Sequence, residues 1–301
     1  VYHGCQAGSV NHPTALFQMN TGNRFGGDPA MGAWVTYGLG SENQNLPGYV
    51  VMTEMAAPQG GSGNWSSGFL PAHFQATQLR SKGSPILDLK PPAWKTRKHQ
   101  RKNLDVLKLL NQEHLEDHPQ HSDLLSRMEN YELAYRMQMD VPDLLDLGNE
   151  PRHIQELYGL DDKQTEPFGR KCLLARRLIE QGVRFVQIWS GNDNSFPRRN
   201  WDSHEDIPRD HPPLSMGMAT GAAALIKDLR QRGLLDDTII LWTTEFGRMP
   251  STQGSKGRDH NPYVFSNWLC GGGIKGGVSH GPSDQWGYKP LDRANPTQVY
   301  D

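Results

Sequence analysis

The feature that most constrains the fold of this chain is a strand–helix–strand rhythm in its second half. Residues 183–189 and 238–244 are short, mostly apolar runs, and an amphipathic segment at 214–232 lies between them. Two strands joined through one helix are expected to run parallel, with their carboxyl ends at the same edge of a sheet. We therefore predict an α/β fold with a mostly parallel central sheet flanked by helices, in which these two strands are neighbours or near-neighbours.

Further segments fit the same class of fold. A helix is predicted at 167–182, with a proline in its first turn and a glycine after its end, and a third strand is predicted at 263–270. Residues 98–140 carry leucine and aromatic residues at helical spacing, interrupted by Pro119. This pattern predicts a helical hairpin inserted within a single domain that covers residues 1–301.

The composition excludes several classes of protein. The net charge is −2, so the chain has no basic field of the kind that binds nucleic acid. No apolar run approaches the roughly 20 residues that span a bilayer. Eight Trp and nine Phe need a core, which excludes a disordered chain. Glycine, proline and polar residues dominate 1–95, which predicts mostly loops, one or two strands and a short helix near 28–38.

Side chains with oxygen and nitrogen donors follow both strands of the predicted rhythm. After the first strand come Asn192, Asp193, Asn194, Asp202 and His204, and after the second come Glu245, Arg248, Arg258 and His260. Because ligands of open α/β sheets bind at the carboxyl ends of the strands, we expect these two groups to come together. Carboxylates and imidazoles in this mixture suit zinc, manganese, magnesium or calcium.

Each part of this pattern also has a purely structural interpretation. Asp202 and His204 could belong to a surface turn with a helix cap. Glu245 ends a strand predicted to be buried, so its carboxylate needs a partner, and Arg248 could be that partner in an ion pair. His12 precedes a proline in a polar segment and is either a loop histidine or a side chain that lines the site.

Longer motifs are spread over the whole chain. They are MNTG at 19–22, MGAWVTYGLG at 31–40, ENQNLPG at 42–48, NWSSGFLP at 64–71, LYGL at 157–160, WDSH at 201–204, TEFGR at 244–248 and GRDHNP at 257–262. Together these segments resemble a bacterial family known as domain of unknown function 1501 (DUF1501). That family in turn resembles a divergent branch of the alkaline phosphatase and sulfatase superfamily. Members of the superfamily use a mostly parallel sheet and one or two divalent metals to act on phosphate or sulfate esters.

The resemblance implies roles for individual residues. The implied metal ligands are Asp202, His204, Glu245 and His260. In a hydrolase of this kind, Arg248 or Arg258 would hold the anionic oxygens of a substrate, and His12 is grouped with them as a candidate catalytic residue. The chain also departs from the superfamily, because Glu245 stands where an aspartate is usual and Phe246 stands where a histidine ligand would be. This departure leaves a single metal or none.

The function that follows from the resemblance is an exported, metal-dependent hydrolase of phosphate or sulfate esters, acting on a small-molecule or glycan ester. Family members typically begin with an export signal, so the protein is expected to be periplasmic or extracellular, although residues 1–301 contain no signal peptide. The resemblance places the nucleophile upstream of Val1, and both ends of the chain look cut, so this chain is expected to be an inactive fragment. The alternative is a non-catalytic exported binding protein that retains the fold. The identity of the substrate and of the metal, and the oligomeric state, stay open at this point.

Overall fold

The computed structural model describes residues 1–54, 57–80, 92, 94–119, 122–191 and 200–291. In this part of the chain the helices are α1 His12–Thr21, α2 Met31–Leu39, α3 Arg97–Asp117, α4 Ser122–Leu145, α5 Arg152–Leu157, α6 Glu166–Glu180 and α7 Ile207–Gln231. The strands are β1 Tyr2–Cys5, β2 Tyr49–Met52, β3 Thr77–Leu79, β4 Phe185–Ile188, β5 Ile239–Trp242, β6 Gly247–Arg248, β7 His260–Asn261 and β8 Phe265–Gly271. Three positions of the predicted site, Asn192, Asp193 and Asn194, lie outside the described residues.

One of the sheets is parallel, with the strand order β3–β2–β4. Val50 of β2 lies opposite Thr77 on one side and Val186 on the other. All four residues of β2 are buried, as expected for an apolar parallel strand that is covered on both faces. Alternate residues of β2 enter two different cores: Val50 packs towards α4 and α6, whereas Val51 packs towards Trp65.

A second sheet has the order β1–β8–β5, and both of its pairings are antiparallel. The α/β class is confirmed, but the two strands of the predicted rhythm lie in different sheets among the residues that the structure describes. Within the described residues β4 pairs with β2, whereas β5 pairs with β8. The apolar pattern identified each strand correctly, but it does not specify which strand will be its hydrogen-bonding partner.

Helix α6 begins and ends close to its predicted bounds, whereas α7 begins earlier than predicted. Asp206 caps α7, and its side chain accepts a hydrogen bond from the backbone N–H of Arg209 at 3.1 Å. Pro212 and Pro213 lie inside the helix, and proline usually marks a helix start or break. For this reason the sequence indicated a start only after the prolines.

The predicted helical hairpin forms as α3 and α4. Its two helices are joined by Arg101, whose Nη1 and Nη2 donate to the carboxylate of Glu132 at 2.7 and 2.6 Å. Helix α3 has no buried residue, so the hairpin is attached to the core through α4. No helix among the residues that the structure describes combines the length and apolar character needed to cross a membrane.

Candidate metal centre

His12 is the first residue of α1, and the start of this helix positions its imidazole. The side chain of Asn11 caps the helix by accepting from the N–H of Thr14 at 3.5 Å, and Pro13 suits the first turn. Gly22 ends the helix in the left-handed region, with φ of 78°. The structure therefore places His12 at a helix start rather than in a loop.

The loop before α7 carries Asp202 and His204, and a buried serine between them holds it in place. Ser203 donates from Oγ to Oδ2 of Asp210 at 2.7 Å, which ties the loop to the first turns of α7. Ser203 is 3% exposed and Asp210 is 2% exposed. The loop is therefore anchored, and it is not a surface turn free to move.

The short β6–β7 hairpin brings a third part of the site into place. Arg248 on β6 lies directly opposite His260 on β7, so the two side chains are cross-strand neighbours. The hairpin then docks against the loop before α7 through its backbone. A Cβ added at Gly257 would lie 1.8 Å from the carbonyl oxygen of His204, and the N–H of Arg258 donates to the carbonyl oxygen of Ser203 at 3.2 Å. This close approach needs a glycine.

These elements assemble the imidazole cluster, a name used from here on for His12, Asp202, His204 and His260. The Nε2 atoms of His204 and His260 lie 2.8 and 2.9 Å from Oδ1 of Asp202 and 3.0 Å from each other. Nε2 of His12 is buried and lies 3.2 Å from Oδ2 of Asp202 without meeting hydrogen-bond geometry. Ligand atoms of His12, Asp202 and His260 all lie within 4.8 Å of one another.

The opposite nitrogen of each ring is engaged by an oxygen. Nδ1 of His260 lies 2.7 Å from the carbonyl oxygen of Val10, and Nδ1 of His12 lies 2.6 Å from Oε1 of Glu245. Nδ1 of His204 lies 2.6 Å from Oε1 of Gln253. Because these oxygens only accept hydrogen bonds, each Nδ1 donates to its oxygen, and a ring that carries this single proton can offer the lone pair of Nε2 to a ligand beside Asp202. Outer partners of this kind orient histidine ligands of metals.

Glu245 and the two arginines have different places relative to this cluster. Glu245 reaches it through His12. Arg248 pairs with Asp202 and not with Glu245: its Nη2 lies 2.6 Å from Oδ1 of Asp202. Arg258 turns its guanidinium to the carbonyl oxygen of Gly257 at 2.9 Å, and its own carbonyl oxygen accepts from Nη1 of Arg248 at 3.3 Å. Arg258 therefore contacts Arg248 through its backbone.

The charges of the cluster are strongly coupled. Burial opposes protonation of His12, but the carboxylates of Asp202 and Glu245 outweigh it and raise the pKa of His12 to about 9. Burial also opposes ionisation of Asp202, but contacts with His12, His260 and Arg248 hold its pKa well below the usual range. The pKa of Glu245 is lowered despite burial, because His12 stabilises its charge. Both carboxylates are therefore ionised at neutral pH, and they are balanced by Arg248 and by a proton on His12 that a bound cation would displace.

Phe246 closes one side of the cluster. Its ring is 4.8 Å from that of His12 and 4.4 Å from that of His260, measured between centroids, and the residue is 4% exposed. It excludes water from two of the three imidazoles. His12, Asp202, Glu245 and Arg248, together with Phe246 itself, line a cleft of about 1870 Å³.

Sequence reasoning missed two groups that orient the imidazoles. The carbonyl oxygen of Val10 is a backbone group, which no residue type reveals. Gln253 is placed by a tight turn in which its N–H donates to the carbonyl oxygen of Gly257 at 2.9 Å and its carbonyl oxygen accepts from the N–H of Gly257 at 3.1 Å. Glycines at 254 and 257 indicate that the chain turns here, but they do not indicate what Gln253 contacts.

Comparison with known proteins identifies the family of the chain. A family model described as "Protein of unknown function (DUF1501)" matches residues 1–301, and the chain belongs to this family. No curated protein and no solved structure matches the chain. The resemblance to DUF1501 is thus confirmed, while the relation of the family to alkaline phosphatases and sulfatases stays an expectation.

Proposed function

We propose that this DUF1501 member is an exported, metal-dependent hydrolase of phosphate or sulfate esters, with the mostly parallel sheet of the alkaline phosphatase superfamily. One observation carries the proposal: three imidazoles have Nδ1 engaged by oxygens while their Nε2 atoms converge on Asp202. A shared cation would replace the protons between these nitrogens and the carboxylate and would be bound by all of them. Such donors bind metals at roughly 2.0–2.2 Å, so ligands of one ion lie about 3–4.5 Å apart.

The donor set favours zinc among the metals considered. Imidazole nitrogen is a common ligand of zinc, whereas magnesium and calcium prefer sites made of oxygen alone. In this proposal the four residues of the imidazole cluster hold the ion. Glu245 becomes a positioning residue on Nδ1 of His12, rather than the ligand suggested by the sequence. His12 correspondingly becomes a ligand rather than a catalytic residue.

The surrounding residues support chemistry on an anionic ester. A zinc ion supplies Lewis acidity at such a site and lowers the pKa of bound water. Arg248 lies in the wall of the cleft beside Asp202, where its guanidinium can hold anionic oxygens of a phosphate or sulfate group. Phe246 shields the rings of His12 and His260 from water on one side, which strengthens electrostatic contacts there. Hydrolysis adds water across the P–O or S–O bond and releases an alcohol with phosphate or sulfate. The expected substrate is a small-molecule or glycan ester.

Metal analysis tests the proposal first. The complete gene product, stripped with EDTA and titrated with zinc in a calorimeter, is expected to bind one zinc ion per chain. His260→Ala should abolish this binding, whereas His153→Ala, at an exposed histidine of α5, should not affect it. Turnover is then measured with 4-nitrophenyl phosphate and 4-nitrophenyl sulfate. Zinc binding that His260→Ala leaves intact, or no hydrolysis of either ester by the zinc-loaded protein, would overturn the proposal.

Export is tested separately by fractionating cells that express the complete gene. The protein is expected in the periplasm or the medium, with its amino terminus processed. Recovery only from the cytoplasm would contradict the proposed export. The proposed hydrolase activity would still be tested by the zinc titration and the ester assays.

A second candidate is a non-catalytic exported binding protein. Arg248 favours it, because Nη2 lies 2.6 Å from Oδ1 of Asp202 and neutralises a carboxylate that a metal would use. Phe246 also favours it, since a phenyl ring contributes no ligand. A protein that binds no zinc in the titration but binds immobilised glycans would support this candidate.

A further inference from the structure

Helix α3 carries apolar side chains on two opposite faces. Leu104 and Leu107 are half-buried and line the groove between α3 and α4. Val106 and Leu109 lie on the side that faces away from α4, with Leu110 beside them, and the three side chains are 56%, 66% and 58% exposed. Because apolar side chains are stabilised by removal from water, this second face indicates that α3 packs against something besides α4.

Val106 and Leu109 belong to a regular series of exposed positions along α3. The series, called the outer stripe from here on, advances by three and four residues in turn and consists of His99, Lys102, Val106, Leu109, Glu113 and Glu116. This spacing is that of the seam of a coiled coil, in which one helix packs along another. The outer stripe is apolar at its centre and charged towards both ends.

The charges of α3 run against the dipole of the helix. Its first two turns hold basic charges and its last two turns hold acidic ones: Arg97, Lys98, Arg101 and Lys102 at the start, and Glu113, Glu116 and Asp117 at the end. A helix is stabilised by the opposite arrangement, because its amino end is positive and its carboxyl end is negative. Like charges four residues apart, such as Lys98 and Lys102 or Glu113 and Asp117, repel each other as well. These charges destabilise α3 by itself and become favourable only with a partner outside the helix.

Helix α4 supplies such a partner for one of the basic charges. Arg101 pairs with Glu132, and its Nη2 lies 2.6 Å from Oε1 of that residue. Lys102 and Glu113 are exposed, and neither forms an ion pair with another residue that the structure describes. Both charged parts of the outer stripe are therefore available to a second partner.

A second copy of α3 fits the outer stripe when the two helices run antiparallel about a two-fold axis. Val106 of each copy then lies opposite Leu109 of the other, which forms two apolar layers at the centre. The same register places Lys102 of each copy opposite Glu113 of the other. The outer stripe is thus complementary to itself in both its apolar residues and its charges.

Other occupants match the outer stripe less well. An anionic membrane surface would attract the first two turns of α3 but repel the last two. Residues 81–91 lie outside the described residues and include the apolar run 86–87, but they carry only one carboxylate, Asp88, for the four basic residues at the start of α3. The segments at 192–199 and 292–301, also outside the described residues, have no apolar residues at the spacing of three and four.

We propose that α3 is the interface of a homodimer, in which the outer stripes of two copies pack antiparallel. The two apolar layers supply most of the stability, and the opposite charges fix the register and the direction of the partner helix. One pair of helices is small compared with a standard interface of about 1,600 Å², so we expect a dissociation constant on the order of 10 μM.

Sedimentation equilibrium with charge-reversed variants tests this interface. Lys102→Glu places like charges opposite each other twice in the dimer, so it should raise the dissociation constant about 10-fold or more, and Glu113→Lys should do the same. An equimolar mixture of the two variants should dimerise like the wild type, because each variant supplies the charge that the other lacks. Lys163→Glu, the same change at an exposed lysine outside α3, should not affect dimerisation.

A second measurement excludes loss of structure as the cause. Lys102→Glu adds a negative charge near the amino end of α3, and Glu113→Lys adds a positive charge near its carboxyl end, so both changes suit the helix dipole better than the native residues do. The melting temperature of each variant, measured by circular dichroism at a concentration where the wild type is monomeric, should therefore be no lower than that of the wild type.

Four results would overturn the proposal. The first is a wild-type protein that stays monomeric well above the expected dissociation constant, and the second is a dimer that neither charge reversal weakens. The third is a mixture of the two variants that fails to dimerise, and the fourth is a monomeric protein that binds phosphatidylserine vesicles through α3. None of these readouts involves zinc or ester turnover, so this inference and the proposed function can fail separately.

Discussion

Two buried clusters of charged side chains in this molecule differ in how their charges are balanced. Between α6 and α7, Arg176 is 3% exposed and its nitrogens lie 2.7, 2.6 and 3.0 Å from carboxylate oxygens of Glu150, Glu180 and Asp228. Asp228 also accepts from the hydroxyl of Tyr158 at 3.0 Å. Arg177 and Arg232 pair with the same three carboxylates, so protein side chains supply three charges of each sign in this interhelix network.

The imidazole cluster has a different balance. When its three rings are neutral, the atoms that surround Asp202 include more hydrogen-bond acceptors than donors. The reason is that the proton on each Nδ1 points away from this carboxylate. Arg248 brings a permanent positive charge to that carboxylate. A buried charge needs a partner, so this cluster needs a proton on His12 or an external cation, whereas the interhelix network needs neither. The comparison separates a structural set of charges from one that is suited to bind a ligand.

The largest expected effect lies in the interhelix network. Arg176→Met leaves buried carboxylates without their partner and should lower the free energy of unfolding by about 3–5 kcal/mol. Urea denaturation measures this change. Arg152→Met removes an arginine that forms exposed ion pairs with Glu156 and Asp161, and it should cause no measurable change. Equal changes in the free energy of unfolding for the two variants would show that burial of the interhelix network does not contribute to stability.

The second effect is that of metal removal on the imidazole cluster. Zinc at 100 times its dissociation constant stabilises a protein that binds it only when folded by about 2.7 kcal/mol. Addition of EDTA should remove this stabilisation and lower the melting temperature of the wild-type protein. The melting temperature of His260→Ala should not respond to EDTA. A response of the same size in both proteins would contradict the comparison, because the cluster would then not be the site of the metal.

A smaller effect is expected from the outer partner of His204. Gln253→Ala removes the oxygen that holds Nδ1 of this ring, so zinc affinity should fall about 10–100-fold. Gln253→Glu keeps an acceptor oxygen at the same place and should retain an affinity close to that of the wild type. Calorimetric titration distinguishes the two variants. Equal losses in both would mean that the amide, and not its acceptor oxygen, matters.

The smallest effect concerns the half-exposed pair that joins α3 and α4. The hydrogen bonds from Arg101 lower the pKa of Glu132 below its ordinary value of 4.5, so the pair stabilises the fold above about that pH. This contribution, about 0.2–1 kcal/mol for such pairs, is lost as the pH falls through the lowered pKa. The difference in stability between the wild type and Glu132→Gln should therefore disappear in acid. A difference that persists at pH 2 would assign the effect to packing.

Much of the local structure could be predicted from the sequence because local rules decide it. The strands at 183–189 and 238–244 and the helix at 167–182 form where the apolar pattern and the flanking proline and glycine indicated them. Cys172, on the inner face of that helix, is 1% exposed. Helix α1 was missed although it has a cap, a proline and a terminal glycine, because the polar composition of its surroundings indicated loops.

The residue types of the candidate site were also visible in the sequence, but their arrangement was not. Asp202 and His260 were expected to meet because they follow strands of the same rhythm, and they do lie 2.9 Å apart. The expected ion pair of Glu245 with Arg248 was only one of two open alternatives, and Glu245 instead holds His12, which lies 233 positions away. No periodicity or spacing specifies a contact over that distance.

The sequence by itself determined which segments become helices and strands, and which donor atoms stand at the ends of β4 and β5. It did so because hydrophobic periodicity, caps and prolines act within a few residues of one another. Only the tertiary structure decided that β5 pairs with β8, that His12 joins the imidazole cluster, and that each Nε2 faces Asp202. These features depend on backbone hydrogen bonds and on close contacts between distant segments, such as the contact of Gly257 with His204. Such contacts stabilise the protein only after the segments have packed together.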